Sequence, residues 1–171
     1  GSHPVQVTAL GGRQSRTDRA FGDIWDNFSA ELLYPNDVRV LYMGCQIDGV
    51  SGRTDERVEG SKGKAYTSWS TSRLTANGAD WVYDGPAPDP CIQQHKEQIE
   101  AIRSGAKLNE GRRIAESTLT AIMCRVSAYT GRTFQWDWIL EASNLDLSPE
   151  KYEFGPLPPV EPAAPGKTKL T

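Results

Sequence analysis

One histidine in the middle of this 171-residue chain has the side chain best suited to move a proton near neutral pH. His95 occurs at helical spacing with Ile92 and Ile99, so its side chain is expected on the apolar face of a helix. It is either a buried structural residue with a backbone partner, the favoured interpretation, or a functional acid–base group. The other histidine, His3, is far away in sequence, so no histidine metal site is evident.

Pairs of carboxylates are the other candidate acid–base groups. Asp23 with Asp26, and Asp55 with Glu56, occur in loop-like stretches without the apolar neighbours that would raise a carboxyl pKa. The sequence therefore predicts that all four are solvated surface residues and not a general acid with its base.

Aromatic, cationic and thiol side chains offer further possibilities. Phe134, Trp136 and Trp138 have ring faces that suit sugars, although packing in the core is the favoured interpretation. Arg125 flanks an apolar helical stripe, where it could cap carbonyl groups or hold a carboxylate. The cysteines are widely spaced without a CxxC pair, so we expect small buried side chains and neither metal ligands nor disulfides. They are Cys45, Cys91 and Cys124.

Composition excludes several classes of protein. The chain has 19 Lys+Arg against 22 Asp+Glu, a formal charge of −3 and 37% hydrophobic residues, which is typical of a globular domain. No basic excess would attract nucleic acid, and no apolar stretch approaches the roughly 20 residues that cross a bilayer. Gly11-Gly12 lacks the third glycine of a dinucleotide fingerprint, and residues 60–63 resemble a tight hairpin more than a phosphate-binding loop.

Alternating apolar residues predict strands in the first half of the chain. Residues 5–9 alternate, and residues 27–46 alternate on both sides of a Pro-Asn-Asp turn at 35–37. The second pattern predicts a β-hairpin. Another hairpin is expected around residues 60–63, followed by a short edge strand at 81–83.

The second half changes to a helical period. Asp89-Pro90 is an N-cap with proline at the first helical position, and Gly105 ends that helix. Asn109 is predicted to cap a longer helix that ends at Gly131, and Asp137 to cap a third, short one. The apolar stripe of the long helix has four-three spacing. It consists of Ala115, Leu119, Ile122, Val126 and Tyr129.

Strands followed by helices are typical of an α+β fold. We expect an antiparallel or mixed, open-faced β-sheet with helices packed on one face, and no Rossmann domain in this chain. If the open face is apolar, it needs a partner domain or subunit. Residues 1–155 are predicted to form this domain. Residues 156–171 are predicted to be an extended proline-rich tail that crosses a neighbouring surface, because it would gain little on its own small domain.

An ordered series of short segments spans nearly the whole chain. The segments are His3-Pro4-Val5, Gly11-Gly12-Arg13-Gln14, Tyr34-Pro35-Asn36, Val38-Arg39, Gln46-Ile47-Asp48-Gly49, Gly60-Ser61-Lys62-Gly63, Gln94-His95, Ala101-Ile102-Arg103-Ser104-Gly105, Leu108-Asn109-Glu110, residues 115–123, Ala128-Tyr129-Thr130-Gly131 and Pro165-Gly166-Lys167-Thr168. Together they resemble the C-terminal α/β domain of Gfo/Idh/MocA oxidoreductases, in the branch common in bacteria that degrade complex glycans.

The resemblance implies a two-domain parent enzyme. In such an enzyme an N-terminal Rossmann domain binds NAD or NADP, and the C-terminal sheet covers the nicotinamide, binds a sugar-like substrate and mediates homo-oligomerisation through the sheet face. The family's dinucleotide motif, lysine and acid–base histidine would precede His3, so no catalytic residue and no metal ligand is assigned in this chain. Hydride transfer needs a cofactor held against the substrate, so the chain alone is expected neither to bind NAD tightly nor to turn over.

Five residues are candidates for the substrate pocket of the parent enzyme. Arg13 and Gln14 after the first strand, and Gln46 at the end of the hairpin, could donate to sugar hydroxyls or to the phosphate side of the cofactor. Tyr42 could stack on a ring face, and His95 is the fifth candidate. Hairpin packing or ordinary surface polarity is an alternative interpretation for each of them.

Two functions remain open at this point. The first is the C-terminal substrate-binding and oligomerisation domain of an NAD(P)-dependent sugar or glycoside oxidoreductase, inactive without its dinucleotide-binding domain. The second is a stand-alone, non-catalytic module that self-associates or binds carbohydrate. Any export signal of the parent protein is expected upstream of this sequence.

Overall fold

A computed structural model describes residues 2–146, 148–155 and 160–170. They divide into two compact units, Gly1–Gly49 with Glu110–Thr171, and Val50–Asn109. The elements in chain order are β1 (Gln6–Gly12), β2 (Asn27–Tyr34), β3 (Val38–Cys45), β4 (Asp55–Gly60), β5 (Gly63–Ser68), β6 (Ser72–Ala76), β7 (Ala79–Val82), α1 (Pro90–Ser104), α2 (Gly111–Thr130), β8 (Phe134–Gln135) and α3 (Trp136–Ala142). The expected α+β class is confirmed, with the strands divided between two sheets.

The first unit contains an antiparallel sheet with the strand order β3-β2-β1-β8. The predicted hairpin over residues 27–46 is confirmed as β2 and β3. Asn36 and Asp37 turn the chain with φ of 63° and 58°, a left-handed conformation that Asn and Asp tolerate better than most residues. The register pairs Ala30 with Tyr42, so Tyr42 lies on the sheet face that carries the core.

Helix α2 covers β1 and part of β2, and the core lies between them. The buried core side chains are Val7, Ala9, Trp25, Ala30, Leu32, Met123, Ala128, Phe134, Trp136 and Ile139. The predicted stripe of α2 is partly wrong, because Met123, Ser127 and Thr130 are buried whereas Ala115 and Ile122 are exposed. The expected packing role is confirmed for Phe134 and Trp136, whereas Trp138 is 49% exposed and stacks on Phe134.

Buried Ser127 accounts for the difference between the face of α2 that was predicted to be buried and the face that is buried. Its hydroxyl accepts a hydrogen bond from the backbone N–H of Ala9 at 2.8 Å and donates to the carbonyl of Arg132 at 2.6 Å. Strand β8 pairs only with Gln6 and Val7, so Ala9 has no strand partner on that side. An unpaired buried N–H is costly, which makes a polar residue favourable in the middle of this core.

The second unit contains an antiparallel sheet with the order β4-β5-β6-β7, followed by α1. The predicted hairpin around residues 60–63 and the edge strand near Trp81 are confirmed, whereas β6 was not predicted. Asp89 caps α1 by accepting from the N–H groups of Cys91 and Ile92, and Gly105 ends it in the left-handed conformation.

Helix α1 does not bury the face predicted from its sequence. Within α1, all of which is described, no side chain is buried, and His95 is exposed like Ile92 and Ile99. The favoured interpretation of His95 as a buried structural residue is therefore wrong. The expectation of buried cysteines is also wrong for Cys45 and Cys91, which are exposed.

Two helix starts differ by one or two residues from those predicted. The N-cap of α2 is Glu110 and not Asn109, and that of α3 is Gln135 and not Asp137. Gly131 ends α2 as predicted, with φ of 71°. In the described ranges, no helix is both long and apolar enough to cross a membrane.

The described part of the proline-rich tail lies on its own unit. The N–H of Gly166 donates to the carbonyl of Thr130 at 2.9 Å, and Ala163 and Leu170 pack against the core. The expectation that the tail crosses a neighbouring surface is therefore wrong for residues 160–170. Pro156, Pro158 and Pro159 lie outside the described residues, and the proposed boundary at residue 155 stays a prediction.

Candidate functional site

The loop between β1 and β2 is organised around the carboxylate of Asp26, which is 3% exposed. Its Oδ2 accepts hydrogen bonds from three consecutive backbone N–H groups, those of residues 14, 15 and 16, at 2.9, 2.6 and 3.0 Å. Its Oδ1 accepts from the amide of Asn27 at 2.8 Å. The prediction of a solvated surface residue is therefore wrong for Asp26, and it is also wrong for Asp55, whose side chain is 5% exposed.

These donors hold the pKa of Asp26 well below its ordinary range. The N–H of Arg16 has the largest effect, and the N–H groups of Ser15 and Gln14 and the side chain of Asn27 act in the same direction, against the opposing effect of burial. A carboxylate that accepts several N–H groups is held in its ionised form. Asp26 is thus a fixed anion that shapes the loop, and not a proton donor at neutral pH.

The side chain of Arg13 stabilises the same loop by donating hydrogen bonds to its backbone carbonyls. Its Nε donates to the carbonyl of Arg16 at 2.6 Å, and its two terminal nitrogens donate to the carbonyls of Gly22 and Asp18, the latter at 2.9 Å. The guanidinium of Arg13 therefore stabilises the path of residues 16–22.

Gln14 and Gln46 lie close to this centre. The N–H of Gln46 donates to the backbone carbonyl of Asp26 at 2.7 Å, and its own carbonyl accepts from Nε of Arg16 at 3.2 Å. The side-chain oxygen of Gln14 accepts from Asn27 at 3.3 Å. Both glutamines are exposed, so amide groups of both remain open to solvent.

An aromatic cluster adjoins the loop. The ring of Tyr129 on α2 lies 4.7 Å from that of Trp25 and 6.2 Å from that of Phe28, between centroids. The guanidinium carbon of Arg125 lies 5.2 Å from the Tyr129 centroid, so Arg125 makes a cation–π contact. Burial raises the pKa of Tyr129, although the charge of Arg125 opposes this effect. Sequence reasoning missed this cluster, because Trp25 and Tyr129 are more than 100 residues apart in the chain.

The other two predicted site residues, Tyr42 and His95, are not part of the hydrogen-bonded group around Asp26. Tyr42 is a partly exposed residue of β3, and its hydroxyl lies over the backbone of Gly44, where a Cβ would collide with it. His95 belongs to the other compact unit. Of the five candidates, three therefore meet around Asp26, namely Arg13, Gln14 and Gln46.

The groups of this region that remain open to solvent are the side-chain amides of Gln14 and Gln46, which can bond to hydroxyl groups. The guanidinium of Arg13 donates to backbone carbonyls, and the Trp25 ring is buried in the core. No cluster of three or more His, Cys, Asp or Glu side chains able to hold a metal ion occurs among the residues that the structure describes.

Comparison with solved structures found similar folds in oxidoreductases. The aldose-aldose oxidoreductase from Caulobacter crescentus, solved with glycerol, matches with a TM-score of 0.64 and 24% identity, over 79% of this chain and 42% of that chain. An oxidoreductase from Agrobacterium radiobacter, in complex with NAD+, L-tartaric acid and magnesium, matches with a TM-score of 0.59 and 18% identity, over 78% of this chain and 43% of that chain. A candidate myo-inositol dehydrogenase from Sinorhizobium meliloti matches with a TM-score of 0.54 and 19% identity, over 79% and 44%.

These similarities define the fold of the chain as that of one part of such oxidoreductases. The resemblance to the α/β domain of Gfo/Idh/MocA proteins is confirmed at the level of the fold. The chain spans 42% to 44% of the length of these three proteins. No protein-family model and no curated protein matched the sequence.

Proposed function

We propose that the chain is the substrate-binding and oligomerisation domain of an NAD(P)-dependent oxidoreductase that acts on a sugar or glycoside. The observation that carries this proposal is that most of the chain adopts the fold of less than half of an aldose-aldose oxidoreductase. The remainder of such an enzyme is available to hold the cofactor.

Glycine placement supports binding of the cofactor outside this chain. Dinucleotides bind where a glycine-rich turn leads from a strand into a helix N-terminus. Gly11-Gly12 lies instead within β1, paired with β2, and Gly60 and Gly63 flank a β-hairpin turn. We therefore assign NAD or NADP to an N-terminal Rossmann domain and no cofactor contact to these glycines.

The Asp26 loop is the proposed sugar-binding region. Arg13 and Asp26 fix its backbone, while Gln14 and Gln46 present amide groups that can bond to sugar hydroxyls. Tyr42 offers a partly exposed ring on the helix-bearing face of the same sheet. His95, which belongs to the second compact unit, is kept as a candidate on the resemblance alone.

Two exposed apolar surfaces support contacts with other domains. On the helix-bearing face of the sheet, α2 leaves Val38 and Val40 of β3 exposed, and we assign this edge to the cofactor domain.

On the open face, Leu10, Leu41 and Met43 are 70%, 77% and 75% exposed, and we assign this face to a second copy of the chain. The register places Leu41 opposite Glu31, and Ser29 lies between Leu10 and Met43, so polar side chains of β2 separate the exposed apolar residues of this face.

The substitution Leu41→Glu is expected to convert a dimer into a monomer. Burying a leucine contributes about 1.5–3 kcal/mol, so losing this contact in both protomers should raise the dimer dissociation constant at least about tenfold. Sedimentation velocity over a concentration series measures this effect. Leu108→Glu, at an exposed position of the other unit, is the control and should leave the dimer intact. A wild-type chain that remains monomeric at all concentrations contradicts the oligomerisation role.

Activity of a longer polypeptide tests the rest of the proposal. The chain preceded by its upstream coding sequence should reduce NAD+ or NADP+ with an aldose, a polyol or a glycoside, and the chain alone should not. Gln46→Ala should raise KM about two- to tenfold, the effect of one lost hydrogen bond, while Gln98→Ala on α1 should not. Glycan binding by the chain alone, with no nucleotide-dependent activity of the longer polypeptide, would instead support the stand-alone module.

A further inference from the structure

The second sheet, β4 to β7, has one face on which an aromatic ring lies between two arginines. The register pairs Arg57 with Tyr66 and Tyr66 with Arg73, so the three side chains lie next to each other on one face. The guanidinium carbon of Arg57 lies 5.7 Å from the centroid of the Tyr66 ring. We call Arg57, Tyr66 and Arg73 the arginine–tyrosine face.

Most charges around this face are already paired. The side chain of Asp55 is 5% exposed and lies 3.2 Å from Nε of Arg53 and 3.5 Å from Nε of Arg57. Glu59 pairs with Lys64 at 2.9 Å. Arg57 is therefore held in place over the ring by a buried carboxylate.

Arg73 differs from its neighbours. Its side chain is exposed and makes no ion pair or hydrogen bond within the described parts of the chain. The neighbouring carboxylate on the next strand, Asp80, accepts a hydrogen bond from Thr75 instead. An arginine without a carboxylate, directly beside a tyrosine ring, is a free binding group for an external anion.

A shallow cavity of about 200 Å³ lies over this face. Its lining includes Arg57, Tyr66 and Arg73, together with the paired Glu59 and Lys64. Pockets that enclose drug-sized ligands have about 300–1,000 Å³, so this cavity suits one ring of a longer molecule.

We propose that the arginine–tyrosine face binds one residue of an acidic saccharide. The planar guanidinium of Arg73 matches a carboxylate in a bidentate geometry, and the part of the Tyr66 ring that Arg57 leaves uncovered can contact the apolar side of the sugar ring. Arg57, fixed by Asp55, borders the same ring and adds positive charge. The choice of a saccharide over another organic anion rests on the proposed function.

Calorimetric titration of the 171-residue chain with trigalacturonate tests this site. The wild-type chain should bind this ligand, and Arg73→Ala and Tyr66→Ala should each raise the dissociation constant, the first at least about tenfold. Binding should also weaken as the salt concentration rises. Arg103→Ala removes the same charge from an exposed position of α1 and should leave binding unchanged.

Three results would overturn the proposal. The first is absence of trigalacturonate binding, and the second is equal binding of neutral maltotriose. The third is binding of inorganic phosphate as tight as that of trigalacturonate, with an affinity for trigalacturonate that Tyr66→Ala leaves unchanged. Because this titration needs neither nucleotide nor the Asp26 loop, its failure leaves the oxidoreductase assay unaffected. If the oxidoreductase assay fails instead, an affinity for trigalacturonate that depends on Arg73 is still a measured property of this chain.

Discussion

Replacing Gly11 with alanine should lower the free energy of unfolding by about 2–3 kcal/mol, whereas Gly12→Ala should change it by no more than about 0.5 kcal/mol. A Cβ on Gly11 would collide with the backbone carbonyl of Asn27 on β2 and lie 3.0 Å from the Trp25 ring and 3.2 Å from the Phe28 ring. A backbone carbonyl in a strand pair cannot move without loss of register. A Cβ on Gly12 has its nearest contact, the Asn27 side chain, at 3.7 Å.

Urea unfolding followed by tryptophan fluorescence measures both variants. The expected loss for Gly11→Ala corresponds to a fall in melting temperature of about 4–12 °C for a protein of this size. Near-ultraviolet circular dichroism should also change in this variant, because Trp25 packs against both Phe28 and Tyr129. Equal stability of the two alanine variants would contradict the close approach of β1, β2 and Trp25.

The substitution Asp26→Asn is expected to open the loop between β1 and β2. An asparagine has only one acceptor oxygen and is uncharged, so its NH2 group must face either the N–H groups of residues 14–16 or the amide of Asn27. These partly buried donors would be left without an ionised acceptor, a costly arrangement. Hydrogen exchange at these three amides should accelerate at least about tenfold, and the unfolding midpoint at pH 7 should fall.

The effect of Asp26→Asn should depend on pH. Since the pKa of Asp26 in the folded chain lies below the value of about 3.9 in an unfolded chain, its ionised form stabilises the fold above that value. The contribution is lost as the pH falls through the folded pKa. The difference in unfolding midpoint between wild type and variant should therefore be constant from pH 5 to pH 8 and shrink below about pH 4.

Asp48→Asn is the matched control for this prediction. Asp48 is an exposed loop residue of the same unit, and its replacement should alter neither amide exchange near residue 15 nor the unfolding midpoint by a measurable amount. A midpoint difference for Asp26→Asn that grows as the pH falls below 4 would have the wrong sign and would show that Asp26 is not held ionised.

The elements predicted from the sequence were those whose signals are local. The turn at 35–37, the Asp89 cap and the terminal Gly105 and Gly131 act on backbone within a few residues, so each was predictable from neighbouring residues. Strand β6 was missed, because a short polar strand has a weak pattern of its own and is held by pairing with β5 and β7.

Candidate site residues were predictable only in part. Arg13 and Gln14 were identified by their position after a strand, and both lie at the Asp26 loop. Asp26 itself was misassigned as solvated, because the loop folds back on this carboxylate and its neighbours in sequence give no sign of that contact. His95 was misassigned for the reverse reason, since helical spacing identifies a shared face but not whether another element covers it.

The amino-acid sequence alone therefore determined the α+β class, the two hairpins and the C-terminal ends of the two longer helices, because backbone torsion preferences and side-chain periodicity are properties of short segments. Burial was decided only by the tertiary structure, because the solvation of a side chain depends on which distant surface lies against it. Three contacts in the folded chain show this. Ser127 packs on β1, Tyr129 packs on Trp25, and the carboxylate of Asp26 accepts four hydrogen bonds.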